Sequence, residues 1–375
     1  MKTLLRLLRA TLWLVFATAT LATATLAAAT LAADSLTPAV LAPGPAIDYS
    51  KLAFNPDRWQ QRGVSTQLFP WTGERLVFLT TRSNLDHGVM ARWVGRLDAG
   101  WKLYADLTGR TPGLFKQLAG KPTIAAVPDA GLTCGVGCGY IGATGIELGK
   151  FYNDDYPLIL AKTNAFPHYC FYEMGRNFYT FGDRHSLFIT GYAVFMRYVC
   201  MDALGCEDTD RKTRETIEQA EALYAQSDLD FLKAFTTLGG LDEKAPRVRR
   251  PDGKWLQPSD QPVIYASAML KLRRDYGGDA WVKRFFAELT KCPKVKADNA
   301  DTALRQSLSW LVAASCAARR DLSPVFVDRW RFPMSAETRQ ALAGIAWEAV
   351  DTDAASVFKK LPASASPAPK AAPGQ

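Results

Sequence analysis

The sequence predicts an α+β protein in which a mixed β-sheet layer is followed by a mainly helical half. Three observations carry this expectation. Between Arg75 and about Gly149, short β-like runs alternate with one amphipathic helix, whereas after Phe166 nearly every apolar pattern has helical period. Sheet first and helices afterwards is an α+β order, not the regular alternation of a parallel α/β protein. The composition, 48% hydrophobic and 22% charged, is enough for a sizeable core.

At the amino end, Lys2, Arg6 and Arg9 precede an uncharged run rich in Leu, Ala and Thr that lasts until Asp34. Its apolar middle, from Leu12 to about Ala19, and the small residues Ala27, Ala28 and Ala29 complete the three-part pattern of a secretory signal peptide. Residues 1–33 are therefore expected to be removed on export to the periplasm or the extracellular space. A retained anchor is the rival reading, but the second half alternates Thr and Ala and is only weakly apolar. No other stretch approaches the roughly 18 apolar residues needed to cross a bilayer, so no stable membrane insertion is expected after cleavage.

Residues 34–50 read as a linker, because Leu36 to Pro45 is rich in Pro and Gly. Residues 51–165 should form the β-rich part, with strands at Leu76 to Thr80, Thr123 to Val127 and Tyr140 to Leu148, and one helix near Val89 to Leu107. Residues 166–360 should be helical. Helices are expected over Phe166 to Phe181, Ser186 to Leu204, Arg211 to Ala225, Asp228 to Thr237, Pro262 to Tyr276, Ala280 to Leu289, Thr302 to Ala317 and Ala336 to Glu348. Residues 361–375 are Pro and Ala rich, the composition of a disordered tail. There is no internal repeat.

The formal charge of +8 includes Lys2, Arg6 and Arg9, and loss of the leader lowers it to +5. Basic residues are scattered except at Arg247, Arg249 and Arg250, so no nucleic-acid partner is expected. Seven cysteines in an exported chain predict disulfides with one thiol left over. Spacing pairs Cys134 with Cys138 around a Gly-rich turn, Cys200 with Cys206 across a helix end, and Cys292 with Cys316 between two helices. Cys170 is then free. Half a metal site at Cys134 and Cys138 is the other reading, but no second thiol or histidine pair stands at suitable spacing.

The most informative stretch runs from Phe166 to Phe181. Pro167 suits a first helical turn and Gly182 a carboxyl-terminal cap. At 100° per residue, Phe171, Met174, Phe178 and Phe181 share an apolar face. His168, Tyr172, Arg176 and Tyr179 share a polar one, with Glu173 beside them. Zinc peptidases of the His-Glu-x-x-His type place their chemistry on such a face: two His one turn apart hold the metal, and the intervening Glu polarises water.

Here the quintet reads Tyr172, Glu173, Met174, Gly175, Arg176, followed by Asn177. With His at both ends it resembles the active-site helix of gluzincins, especially the enhancin-like, mucin-degrading zinc metallopeptidases. Downstream, Thr190, Gly191, Tyr192, Ala193, Val194, Phe195 resembles the Glu-Gly-x-Ala-x-Phe segment that supplies a gluzincin's third ligand. The resemblance spans roughly Arg75 to Thr237 and implies a zincin-like fold. The Tyr-Glu-Met-Gly-Arg-Asn helix, followed by Gly-Asp-Arg-His-Ser, also resembles a group of exported bacterial proteins of uncharacterised activity.

On that resemblance all three ligand positions are changed, to Tyr172, Arg176 and Thr190, and only the catalytic Glu survives, as Glu173. A guanidinium has no lone pair for a metal and stays charged. Zinc sites draw on His, Cys, Asp and Glu. No metal and no other cofactor is therefore expected.

Two uses of the altered site remain open. Arg176 replaces the metal charge, held by Glu173 and tyrosine hydroxyls, either for structure alone or in a cleft that grips a carboxylate, sulfate or carbonyl of a peptide or glycan. In the second case Tyr172, Arg176, Asn177, Tyr179, Arg184, His185 and Thr190 are the candidate binding residues. Sugar stacking on Tyr140, Tyr169, Tyr172, Tyr179 and Tyr192 competes with plain core packing. A hydrolase using Glu173 as base and Arg176 as oxyanion stabiliser is the rival class. Ser186, after Asp183 and His185, is read as a helix cap, because no Gly-x-Ser-x-Gly elbow is present. A shifted metal site on His168 and His185 is set aside, because three His from separate segments are expected by chance and zinc sites need tighter preorganisation, and the acidic clusters lack the order of a calcium loop.

Overall fold

The computed structural model describes residues 41–181, 186–236, 248–296 and 299–362. The expected signal peptide, most of the linker, the Pro/Ala tail, Arg184 and His185 lie outside the described residues. Seven strands form one sheet: β1 (Ile47–Asp48), β2 (Gln67–Thr72), β3 (Val77–Thr80), β4 (Gln117–Leu118), β5 (Lys121–Ala126), β6 (Gly137–Gly139) and β7 (Ile146–Leu148). Their order is β1-β2-β3-β5-β7-β6, with β4 beside β5. β3, β5 and β7 run parallel, while β2 and β6 are antiparallel to their neighbours. The sheet is thus mixed, as expected, and the rest of the described residues are mainly helical.

Period-two alternation assigns the two faces of this sheet. Phe78, Ile124, Ala126, Ile146 and Leu148 point into the large core shared with the helices. Val77, Leu79, Ala125 and Val127 point the other way, onto Tyr49, Trp59 and Leu132. Glu147 falls on that second face and is fully buried. Its carboxylate accepts from the Tyr49 hydroxyl at 3.0 Å and the Phe54 amide at 2.9 Å, which fastens the amino-terminal segment to the central sheet.

The expected strand over Tyr140 to Leu148 is broken. Gly142 (φ +73°) and Gly145 (φ +127°) turn the chain in the left-handed region, so β6 and β7 form a hairpin, and only its second strand lies in the expected run. β2 lies where no strand is expected, because Pro70 interrupts a run that has no clean alternation. The long helix His87–Thr108 starts at Asp86, whose side chain accepts from the Val89 amide, and stops at Gly109, which is left-handed at φ +65°.

The helical half contains Ser186–Ala203, Arg211–Ala225, Gln261–Asp275, Gly278–Leu289 and Ala300–Ala318. Asp210, Asp260 and Asn299 cap three of them by accepting from backbone amides in the first turn. The expected Ala336 to Glu348 helix ends at Ala343, and a further short helix, Ala354–Lys360, follows. One apolar cluster reaches from Trp71 to Val357 and joins the sheet to these helices. No helix among the described residues is long and apolar enough to cross a membrane.

The cysteines correct the sequence expectation. Cys134 and Cys138 form a disulfide, and Cys170 is free. Cys200, Cys206, Cys292 and Cys316 are free as well, so the pairs Cys200–Cys206 and Cys292–Cys316 do not form. Gly205 (φ +59°) turns the chain back so that the Cys206 amide bonds the Met201 carbonyl at 2.9 Å, and the Cys206 sulfur faces the Leu204 carbonyl. The Cys292 thiol donates to the carbonyls of Glu288 and Ser309, at 3.6 and 3.5 Å, almost two turns before Cys316. Burial pushes the Cys206 thiol up to about 11 and the Cys316 thiol up to about 12, which keeps both protonated.

Candidate functional site

The site helix covers Tyr169–Phe178 and is shorter than expected at both ends. Phe166 belongs instead to a short strand, Ala165–Phe166, paired with Glu207–Asp208, and Pro167 precedes the first turn. Phe171, Met174 and Phe178 form its buried face. Close approach is made possible by glycines. An added Cβ on Gly100 of the long helix would lie 2.5 Å from the Phe171 ring. One on Gly175 would lie 3.0 Å from the Ala193 Cα on Ser186–Ala203. The two motif segments therefore cross at Gly175 and Ala193. Tyr104 locks the crossing by donating to the Phe171 carbonyl at 2.7 Å.

Glu173 is only 6% exposed and is covered by the edge strand β6. β6 can lie there because its alternate positions are glycines. A Cβ on Gly137 would meet the Glu173 Cγ at 2.8 Å, and one on Gly139 the Glu173 carbonyl oxygen at 2.6 Å. Burial pushes the carboxyl up to about 7, against the opposing pull of the Arg176 charge and the Gly139 amide that donates to it.

Arg176 is half-buried one turn from Tyr172 and donates to the Tyr172 hydroxyl at 3.4 Å. The tyrosine contact expected for it is present. The expected ion pair with Glu173 is not: no carboxylate lies within 4.0 Å of Arg176 among the described residues, because the Glu173 side chain is turned into the glycine strand. Asn177 is spent on structure, its amide donating to the carbonyls of Tyr140 at 2.9 Å and Gly145 at 3.2 Å. The Gly142 amide bonds the Arg176 carbonyl at 3.1 Å, so the β6–β7 hairpin and the end of the site helix are one unit.

Tyr179 and Tyr192 are buried and pack on each other with ring centroids 5.4 Å apart, so neither ring offers an open stacking face. Tyr140 and Tyr172 are half-buried. Tyr169 donates to Asp155 at 2.5 Å. Thr190 is half-buried on Ser186–Ala203, two turns before Arg197 on the same stripe of that helix.

Arg197 is the residue that sequence reasoning missed. It is 9% exposed, and its guanidinium lies 4.6 Å from the Tyr198 ring and 5.8 Å from the Tyr172 ring. It donates to the Tyr198 hydroxyl at 3.1 Å, yet its Nε, the His168 Nδ1 and the Asp208 Oδ2 are buried without a partner. Burial, helped by the Arg197 charge, pushes His168 down to about 3, so the imidazole is neutral at ordinary pH. The available signal was a lone arginine in the apolar run from Ala193 to Met201.

Among the described residues no group of three or more His, Cys, Asp or Glu side chains could hold a metal ion. Tyr172, Arg176 and Thr190 do not supply a zinc donor set, and the guanidinium would repel the ion. What the arrangement offers instead is positive charge beside a sealed carboxyl, with hydroxyl and imidazole groups along one helix face.

No family model matches the chain, and no curated protein matches it. Solved structures that resemble it include a functionally unknown conserved protein from Bacillus anthracis str. Ames, and a mutant described in the same terms from the same organism. They are 11% and 13% identical to it, with TM-scores of 0.46 and 0.47, and each match covers 76% of this chain. The chain matches 55% of the length of those structures.

Proposed function

We propose that the protein is an exported, non-catalytic relative of gluzincins that binds the anionic group of a peptide or glycan at Arg176. The observation that carries this reading is the half-buried Arg176, which has no carboxylate within 4.0 Å among the described residues. An arginine held on a rigid helix, with no carboxylate within 4.0 Å of it among the described residues, is suited to an external carboxylate or sulfate. The kinship with zincins is supported by a mixed sheet that precedes two helices crossing at their motif residues, Gly175 and Ala193. Replacement of the ligand positions by Tyr172, Arg176 and Thr190 supports binding over zinc chemistry.

The test is equilibrium binding of the secreted protein to peptides and mucin glycans with and without carboxylate or sulfate. Arg176→Gln should weaken binding of the anionic members by about tenfold or more, the scale of one charge-assisted hydrogen bond, without loss of folding. Unchanged affinity in a folded Arg176→Gln variant rejects the reading. The hydrolase alternative rests on Glu173, whose burial raises its proton affinity toward that of a general base but also seals it under β6. Chelator-resistant cleavage of peptide or mucin, abolished by Glu173→Gln, would establish that alternative.

A further inference from the structure

Eight of the nine described tryptophans are buried at 8% exposure or less, whereas Trp255 is 38% exposed. It stands on a hairpin rooted by the buried Val248 and Leu256, with the Leu256 amide bonded to the Val248 carbonyl at 2.7 Å. Gly253 (φ +78°) makes the turn, and the Arg250 amide bonds the Lys254 carbonyl at 2.8 Å. Arg249 faces Trp255 across the two strands with its guanidinium 4.3 Å from the indole. Arg250 and Lys254 are also exposed, and the one acid in the turn, Asp252, lies 4.0 Å from Arg250.

Between this hairpin and the end of the helix Arg211–Ala225 is a cleft of about 600 Å³, lined by Leu223, Gln226, Asp228, Arg249, Arg250 and Trp255. That is the size of a small-ligand site. The arginines are not there to cap the helix. Arg331 already donates to the carbonyls of Tyr224, Ala225 and Leu229. A cross-strand Arg249–Trp255 pair alone would stabilise the hairpin, but it would not require Arg250 or a cleft behind it.

We propose that this cleft is a second ligand site, sharing no residue with the Arg176 site, and that it takes an acidic saccharide. Its chemistry selects that class. The guanidiniums call for a carboxylate or sulfate. Asp228 and Gln226 on the facing wall accept from hydroxyls, and Asp228 opposes a ligand that is anionic throughout. Trp255 and Leu223 give an apolar wall for the C–H groups of a pyranose ring. A sugar ring carrying one acidic group satisfies all three walls.

Titration calorimetry on the mature full-length protein tests this with trigalacturonate, sialyllactose, a sulfated galactose oligosaccharide and neutral cellotriose. At least one acidic sugar should bind about tenfold more tightly than cellotriose, the scale of a single charge-assisted contact. Read in the Arg176→Gln background, where only this cleft contributes, Arg250→Gln and Trp255→Ala should each lose that binding, and Trp255→Phe should keep much of it. Binding of no acidic sugar, or equal binding of cellotriose, overturns the proposal. So does acidic-sugar binding that survives both Arg250→Gln and Trp255→Ala in folded protein lacking the Arg176 guanidinium. Binding lost with Arg176→Gln but kept with Trp255→Ala also overturns it, while supporting the Arg176 site.

Discussion

A carboxyl sealed under a strand leaves a thermodynamic signature. The Glu173 proton is held to about 7 in the folded chain, against an ordinary 4.5. Because the folded state binds this proton more tightly, its contribution favours folding most below the unfolded value and is lost as pH rises through 7. The shift is worth on the order of 3 kcal/mol. Asp155, pushed up to about 6 by burial, adds in the same direction over a lower window. Urea denaturation should therefore show stability falling between pH 6.5 and pH 8, above the window in which the neutral His168 adds stability as pH rises. Glu173→Gln should flatten that fall and exceed the native protein at pH 8, since the amide oxygen can still accept from Gly139. The same slope in both proteins would mean the carboxyl is open to water. The sequence marks Tyr172, Glu173 and Arg176 as neighbours through helical spacing alone. It does not indicate where Glu173 points, because that depends on two glycines more than thirty residues earlier in the chain.

Those glycines set the prediction at the level of elements. Gly137→Ala places a methyl carbon 2.8 Å from the flexible Glu173 side chain, whereas Gly139→Ala places one 2.6 Å from a helix carbonyl. Each should cost about 1 to 3 kcal/mol, the usual penalty for overpacking. The two should differ in rescue. Glu173→Ala removes the atoms that Gly137→Ala meets, so the double variant should recover most of the loss. The carbonyl that opposes Gly139→Ala belongs to the backbone, and no substitution at Glu173 removes it. A double-mutant cycle by chemical denaturation reads this directly, and equal coupling energies for both pairs would contradict the seating of β6 on the site helix. Long helices with clear period, such as His87–Thr108 and Arg211–Ala225, were legible in the sequence. The β6–β7 hairpin was not, because its strands have three residues each and its pairing depends on glycine turns rather than on an apolar alternation.

At the scale of the whole molecule, the order of sheet and helices was legible, and the cross-links were legible only where they are local. Cys134 and Cys138 are four residues apart on one turn, so spacing alone brings their sulfurs together. The other pairings required knowing how helix ends pack, and the packing sends the Cys206 and Cys292 thiols to carbonyl groups instead. The shared apolar cluster from Trp71 to Val357 then holds the molecule without further covalent ties. Titration of the denatured, unreduced protein with a thiol reagent should count five cysteines, where pairing by spacing leaves one. After reduction the count should rise to seven. Because the closed loop is so short, reducing Cys134–Cys138 should cost about 2 kcal/mol of stability by loop entropy. The midpoint of unfolding should shift by that amount and no more, since helix-to-helix packing carries the rest. A single reactive thiol before reduction would show that the helix ends at Cys292 and Cys316, and at Cys200 and Cys206, lie close enough to bond, and the packing described for both would then be wrong.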